Sequence, residues 1–116
     1  MADCLFCGIV AGDVPAEIVY QDLTTMAFKD IAPAAPLHVL VVPRRHITNA
    51  STVTPADADE VTALLIAAKA VADAEGIGGT DRGYRLMFNV GPDALNSVGH
   101  LHLHLLGGQT LGGHLG

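Results

Sequence analysis

The sequence predicts an α+β domain: a mostly antiparallel sheet with one long helix packed on one face. Three observations carry this expectation. Short β-like runs outnumber helical ones, the links between neighbouring runs are brief, and only residues 55–75 sustain a helical period. At 116 residues the chain is read as one domain spanning 1–116, within the roughly 100–200 residues usual for a domain.

The elements follow in order. Residues 4–11 are apolar and read as a short N-terminal helix or turn, ended by Gly12-Asp13. Residues 17–21 and 24–29 are β-like and flank Asp22-Leu23, a hairpin pattern. The stretch Ala32-Pro33-Ala34-Ala35-Pro36 enforces an irregular connection, because proline fixes its own φ and restricts the residue before it. Leu37 to Val42 is continuously apolar except for His38 and is stopped by Pro43, the pattern of a buried strand. Thr54 is the expected N-cap of the long helix, with Pro55 at its first position and Asp57, Asp59 and Glu60 at the positive dipole end. Val61, Leu64, Leu65, Ala68, Val71 and Ala72 give that helix its apolar stripe, and Gly76 its C-cap. Tyr84 to Val90 and His100 to Leu106 are the last two strands.

Composition narrows the function. Half the residues are hydrophobic, 16% are charged and the formal net charge is −6. Disorder is excluded, and so is a general binder of nucleic-acid backbones, which needs a basic face. No apolar run approaches the ~18–20 residues that span a bilayer, and Met1-Ala2-Asp3 has no basic leader pattern. No membrane association is expected, and the cytoplasm is the expected compartment.

The chemistry concentrates in His100-Leu101-His102-Leu103-His104-Leu105-Leu106. Strand alternation puts three imidazoles on one face and Leu101, Leu103 and Leu105 on the core face beneath the helix. Packing alone does not explain three histidines in five residues, since a buried neutral imidazole needs partners for both nitrogens. One metal ion cannot take all three: His100 and His104 stand about 13 Å apart on a strand, whereas zinc holds nitrogen at about 2.0–2.1 Å. The strand therefore divides its labour between two sites. Cys4-x-x-Cys7 supplies two thiols at zinc-ligand spacing, which is half a site. His46 has no other evident task and His100 is the spare member of the strand. Against this stands a reduced pair of cysteines with no metal; a redox role lacks the βαβ context.

The histidine run followed by Gly107-Gly108 resembles the signature of the histidine triad superfamily. The likeness extends to Asp30-Ile31-Ala32-Pro33-Ala34-Ala35-Pro36-Leu37-His38, to Val42-Pro43-Arg44-Arg45-His46-Ile47, and to Gly83-Tyr84-Arg85 through Asn89. It covers about Cys4 to Gly108 and is nearest to the Hint-type branch. The resemblance implies a five-stranded antiparallel sheet with a long helix, a homodimer, and hydrolysis of purine nucleoside phosphoramidates. It implies that His102 is the nucleophile, that His104 and His38 contact phosphate with Asn89 and Ser97 completing the polar shell, and that Asp30 holds the ribose. Ile31, Leu40, Phe6 and Ile9 are candidates for the base pocket, with core packing as the competing role. The resemblance to some bacterial relatives, which hold structural zinc through two Cys and two His, implies the same role here for Cys4, Cys7, His46 and His100. No organic cofactor is implied.

Imidazole suits the reaction. Near neutral pH it attacks when unprotonated and donates to phosphate when it carries the proton. A covalent nucleotidyl-histidine divides one hard displacement into two easier ones. The chain departs from the family at Asn96, where Gln is common, at Gly99, and in a tail (Gly112 to Gly116) without an aromatic residue, where His114 is expected to be solvated. These bear on leaving-group preference. Two further functions fit the motifs: a nucleotide-binding adaptor with incidental turnover, and a dinucleoside polyphosphate hydrolase.

Overall fold

One antiparallel sheet organises the chain. The computed structural model describes residues 4–79 and 81–113; His114 and Met1 to Asp3 lie outside them. The strands are β1 (Ile18–Gln21), β2 (Thr25–Lys29), β3 (Leu37–Pro43), β4 (Arg85–Met87) and β5 (Leu103–Gly107), in spatial order β1-β2-β3-β5-β4. Every neighbouring pair is antiparallel. The helices are α1 (Leu5–Ala11) and α2 (Ala58–Ala74). The predicted α+β class and five-stranded sheet are therefore observed.

The hairpin forms where expected because Asp22 Oδ1 accepts from the backbone N–H groups of both Thr24 and Thr25 at 2.9 Å. All seven residues of β3 are buried, as its unbroken apolar run predicts. Alternation splits the sheet into two faces. Ala27, Val39, Val41, Leu103 and Leu105 pack with Leu64, Ala67, Ala68, Val71 and Ala72 of α2. On the other face Met26, Phe28, Leu40 and Val42 pack with Phe6 and Ile9 of α1. Helix α1 covers only part of that face, which leaves room for a site over β5.

Three boundaries differ by several residues from expectation, each for an identifiable reason. The helix over 55–75 opens with a 3₁₀ turn at Pro55–Asp57, and α2 begins at Ala58. There the Thr54 side chain and the Asp57 carboxylate cap each other's backbone. Leu65 is 46% exposed, and Ala67 lies on the buried stripe instead; one residue beyond Leu64 is 100° around the helix. The last strand starts at Leu103, not His100, because β3 pairs with it only as far as Val41. Beyond that point the Pro43 carbonyl meets the His100 ring at 2.9 Å. Likewise β4 spans Arg85–Met87 rather than 84–90, so that residues 88–98 leave the sheet and arch over its face. Inward alternation nevertheless continues through Leu101, 3% exposed.

Truncating Leu64, fully buried beneath the sheet, is expected to cost about 2–5 kcal/mol. Leu65→Ala is expected to stay within about 0.5 kcal/mol. Urea denaturation of the two variants measures the contrast.

Candidate active site and metal centre

The arch of residues 88–98, α1 and the Lys29–Ile31 corner enclose a cavity of 410 Å³, within the roughly 300–1,000 Å³ of small-molecule sites. Its wall includes Asp30, Ile31, Asn89, Phe6, Ile9, Leu40, Ser97, His102 and His104. His38 is the predicted site residue that does not line it; its ring stands behind His104. Ile31 is 97% exposed and forms part of the rim rather than a buried wall. The sequence reading missed Phe28 on this wall, although period-two alternation from Met26 puts it on the α1 face. It also missed Leu5, Lys29, Leu95 and the Val14–Ala16 segment. These are brought in by chain path, which no local pattern encodes.

Backbone groups fix how His38 and His102 are protonated, and His38 in turn fixes His104. The Ala34 N–H donates to His38 Nδ1 at 3.0 Å, so the neutral ring carries its proton on Nε2. That proton points at His104 Nδ1, 2.8 Å away. His104 therefore accepts on Nδ1 and presents Nε2–H. His102 is set the opposite way. Its Nδ1 lies 2.7 Å from the His100 carbonyl, to which only an N–H can donate. Nε2 of His102 is left with a lone pair. The His102 and His104 ring centroids are 5.0 Å apart, and Phe6 meets His102 edge-on at 5.1 Å. A nucleophilic nitrogen and a hydrogen-bond donor thus stand side by side on one wall.

Burial first, and the neighbouring His102 and His38 rings next, bring the His104 pKa down to about 4. Burial also lowers that of His38, with Asp30 opposing. Asp30 Oδ2 is 3.5 Å from His38 Nε2, and Oδ1 accepts from the Ala32 N–H at 2.8 Å. Asp30 is thus a turn residue as well as part of the cavity wall.

The His100 ring turns inward and is fully buried. Its Nε2–H donates to the Pro43 carbonyl, which leaves the Nδ1 lone pair facing Cys4 Sγ at 3.3 Å and Cys7 Sγ at 3.5 Å. His46 Nδ1 reaches Cys7 Sγ at 3.3 Å. The ligand atoms of Cys4, Cys7, His46 and His100 all lie within 4.8 Å of one another and could hold a metal ion. Tetrahedral bonds of about 2.3 Å to sulfur and 2.0–2.1 Å to nitrogen demand edges of this size. The site is assembled from afar. Arg45 pairs with Asp57 and, at 3.0 Å, with Glu60, tying the segment after β3 to the start of α2. The Leu101 N–H donates to the Ile47 carbonyl at 2.6 Å, holding His46 beside His100. Burial, with Cys4 adding to it, raises the Cys7 thiol pKa; a bound cation reverses that preference. Asp30, His38 and His104 also bring three ligand atoms together. There the Ala34 N–H keeps the His38 proton on the inner nitrogen, which opposes ligation.

The sequence model of the HIT domain matches residues 11–111, and the chain belongs to the HIT family. It is 42% identical over 109 residues to an uncharacterized HIT-like protein of Synechococcus elongatus, covering 94% of this chain and 93% of the relative. Among solved structures, a HIT family hydrolase from Legionella pneumophila is 43% identical, with a TM-score of 0.93 over 98% of this chain and 100% of that one. A HIT family hydrolase from Clostridium thermocellum is 41% identical, also at 0.93, over 99% and 98%.

A histidine with a depressed pKa stays neutral in the fold while the unfolded chain takes up its proton below about 6.5. The unfolded state then binds more protons, so stability is lost as pH falls from about 6.5 toward about 4. Denaturation midpoints at pH 7 and pH 5 are expected to show this loss, and His104→Gln to reduce it.

Proposed function

We propose that the protein is a nucleotidyl hydrolase that cleaves purine nucleoside phosphoramidates at the P–N bond. The observation that carries this is the His102 tautomer: with Nδ1–H spent on the His100 carbonyl, the lone pair of Nε2 is free to attack. His102 Nε2 bonds to the α-phosphorus as the P–N bond to the amine breaks, and the amine leaves with a proton that the Ser97 hydroxyl passes to it and regains from solvent water. Water then displaces the imidazole and releases the nucleoside monophosphate. His104 Nε2–H, backed by His38, donates to the equatorial phosphate oxygens as charge builds, with Asn89 beside it. Asp30 accepts from the ribose hydroxyls, and the base lies against Phe6, Ile9, Leu40 and Ile31. The cavity wall carries one permanently cationic side chain, Lys29, already paired with Glu17 at 2.9 Å. That favours a neutral amine leaving group over the polyanion released from a dinucleoside polyphosphate. It is the names of solved relatives that support hydrolysis over an adaptor role.

In this reading Cys4, Cys7, His46 and His100 hold structural zinc, which pins α1 beside the sheet. The active form is a homodimer in the cytoplasm, its two sheets joined edge to edge. None of the described helices is long and apolar enough to cross a membrane.

Incubation with an adenosine phosphoramidate and acid-free mass spectrometry are expected to trap a nucleotidyl adduct on His102. His102→Ala is expected to abolish it and lower turnover by at least about a thousandfold. Failure to trap an adduct on an active enzyme would refute the covalent route. Elemental analysis is expected to find one zinc per chain, lost in Cys7→Ser along with several kcal/mol of stability, on the order expected for a structural site.

A further inference from the structure

The four candidate metal ligands do not share one environment. His100 is fully buried, whereas Cys4 and Cys7 are both only partly covered. Cys4 and His46 also border a second cavity, of 400 Å³, which Thr48 and Gly99 line with them. Cys7 and His100 do not reach it. Of the two thiols, Cys4 is therefore the one that a small solute meets from that side.

The sulfurs are placed to react with each other. Their Sγ atoms lie within 4.8 Å, and Cys4 Sγ already accepts from the Cys7 N–H at 3.3 Å. Both face one nitrogen, His100 Nδ1, at 3.3 and 3.5 Å. Cysteines three apart in one turn are within the span that a disulfide closes. Between them stand Leu5 and Phe6, and both of these line the histidine cavity. Phe6 meets the Phe28 ring at 5.3 Å and the His102 ring at 5.1 Å, edge-on to each. The turn that offers two thiols to a metal thus also offers two apolar side chains to the cavity.

We infer that Cys4 and Cys7 are an oxidation site through which peroxide releases the metal and weakens nucleotide binding, resting on the zinc and nucleotide readings above. The Cys4 thiolate attacks one peroxide oxygen, the O–O bond breaks, and the departing hydroxide takes a proton to become water. The Cys7 thiolate then attacks the sulfur of the Cys4 sulfenic acid. An S–S bond forms as the S–O bond breaks, and this hydroxide too leaves as water. Two thiolates have given two electrons to one peroxide, and solvent has supplied two protons. His46 and His100 remain as neutral donors, half of a closed set. The start of α1 is then no longer held to both histidines, and Leu5 and Phe6 shift as the bridge draws the sulfurs together. A dithiol reductant restores both thiols. The pair switches the protein's own state and turns over no disulfide substrate.

The test treats the reduced, zinc-loaded protein with hydrogen peroxide. A colorimetric chelator reads released zinc, intact mass and peptide mapping read the bridge, and calorimetry reads AMP binding. Zinc release is expected together with a loss of about two mass units and a Cys4–Cys7 cross-linked peptide. AMP affinity is expected to fall about tenfold as the Phe6 wall shifts, and dithiothreitol with zinc to restore it. Cys4→His keeps four ligands but cannot bridge, and is expected to retain zinc at peroxide doses that empty the wild type. A second comparison needs no variant. Wild type stripped by a chelator under reductant is expected to reload zinc directly, and the peroxide-treated protein only after dithiothreitol. Zinc retained by the wild type, zinc released without the bridge, or an unchanged AMP affinity overturns the proposal. If the reduced chain takes up no zinc, the metal reading falls and the switch with it. If it takes up zinc but binds no AMP, the proposed function falls and the switch loses its target.

Discussion

A backbone carbonyl can only accept a hydrogen bond and a backbone N–H can only donate one, and this polarity governs, directly or through a neighbour, four of the five described histidines. Neutral imidazole is ambivalent: either nitrogen can hold the proton. Left to solvent, the five described histidines would each be a mixture. Instead Ala34 N–H, His100 C=O and Pro43 C=O assign His38, His102 and His100 respectively, and His38 in turn assigns His104. Two rings two residues apart are thereby put to different uses. His100 shows its lone pair to two thiols, while His102 shows its own to the cavity. Chemically identical residues are told apart by which main-chain group lies behind them.

The metal cluster and the cavity are neighbours through the same segment. His100 offers its ring to Cys4 and Cys7 and its carbonyl to His102. Cys4 is also the N-cap of α1, its Sγ accepting from the Cys7 N–H at 3.3 Å. That helix carries Phe6 and Ile9 into the cavity wall. Holding the two cysteines therefore fixes where the apolar side of the cavity sits.

Much of this was legible in the residues. The unbroken run of β3, the Asp22 hairpin and the Leu/His alternation reported their own environment, because each depends on a local period or a local hydrogen bond. Division of labour along the histidine ladder followed from rise per residue alone. What stayed hidden was non-local. Nothing near His100 says that strand pairing begins only at Leu103, three residues further on; Pro43, 57 residues earlier, decides that by meeting the His100 ring. Leu65 looked like core because a six-residue stripe was drawn too wide, and only packing against the sheet shows where the apolar arc ends. Leu95 gave no signal at all, since a left-handed leucine is set by the path of the arch.

The long pairing between β3 and β5 has a consequence for how the chain acquires its chemistry. His38 and His104 are 66 residues apart in sequence, and they meet only when the last strand docks beside the third. Contacts of such separation close late and slowly compared with hairpins and helices. A nascent or half-collapsed chain can carry the β1–β2 hairpin and α2 while its imidazoles are still ordinary, scattered and solvated. The paired imidazoles are a property of the completed sheet, so intermediates on the way to it have no aligned histidines.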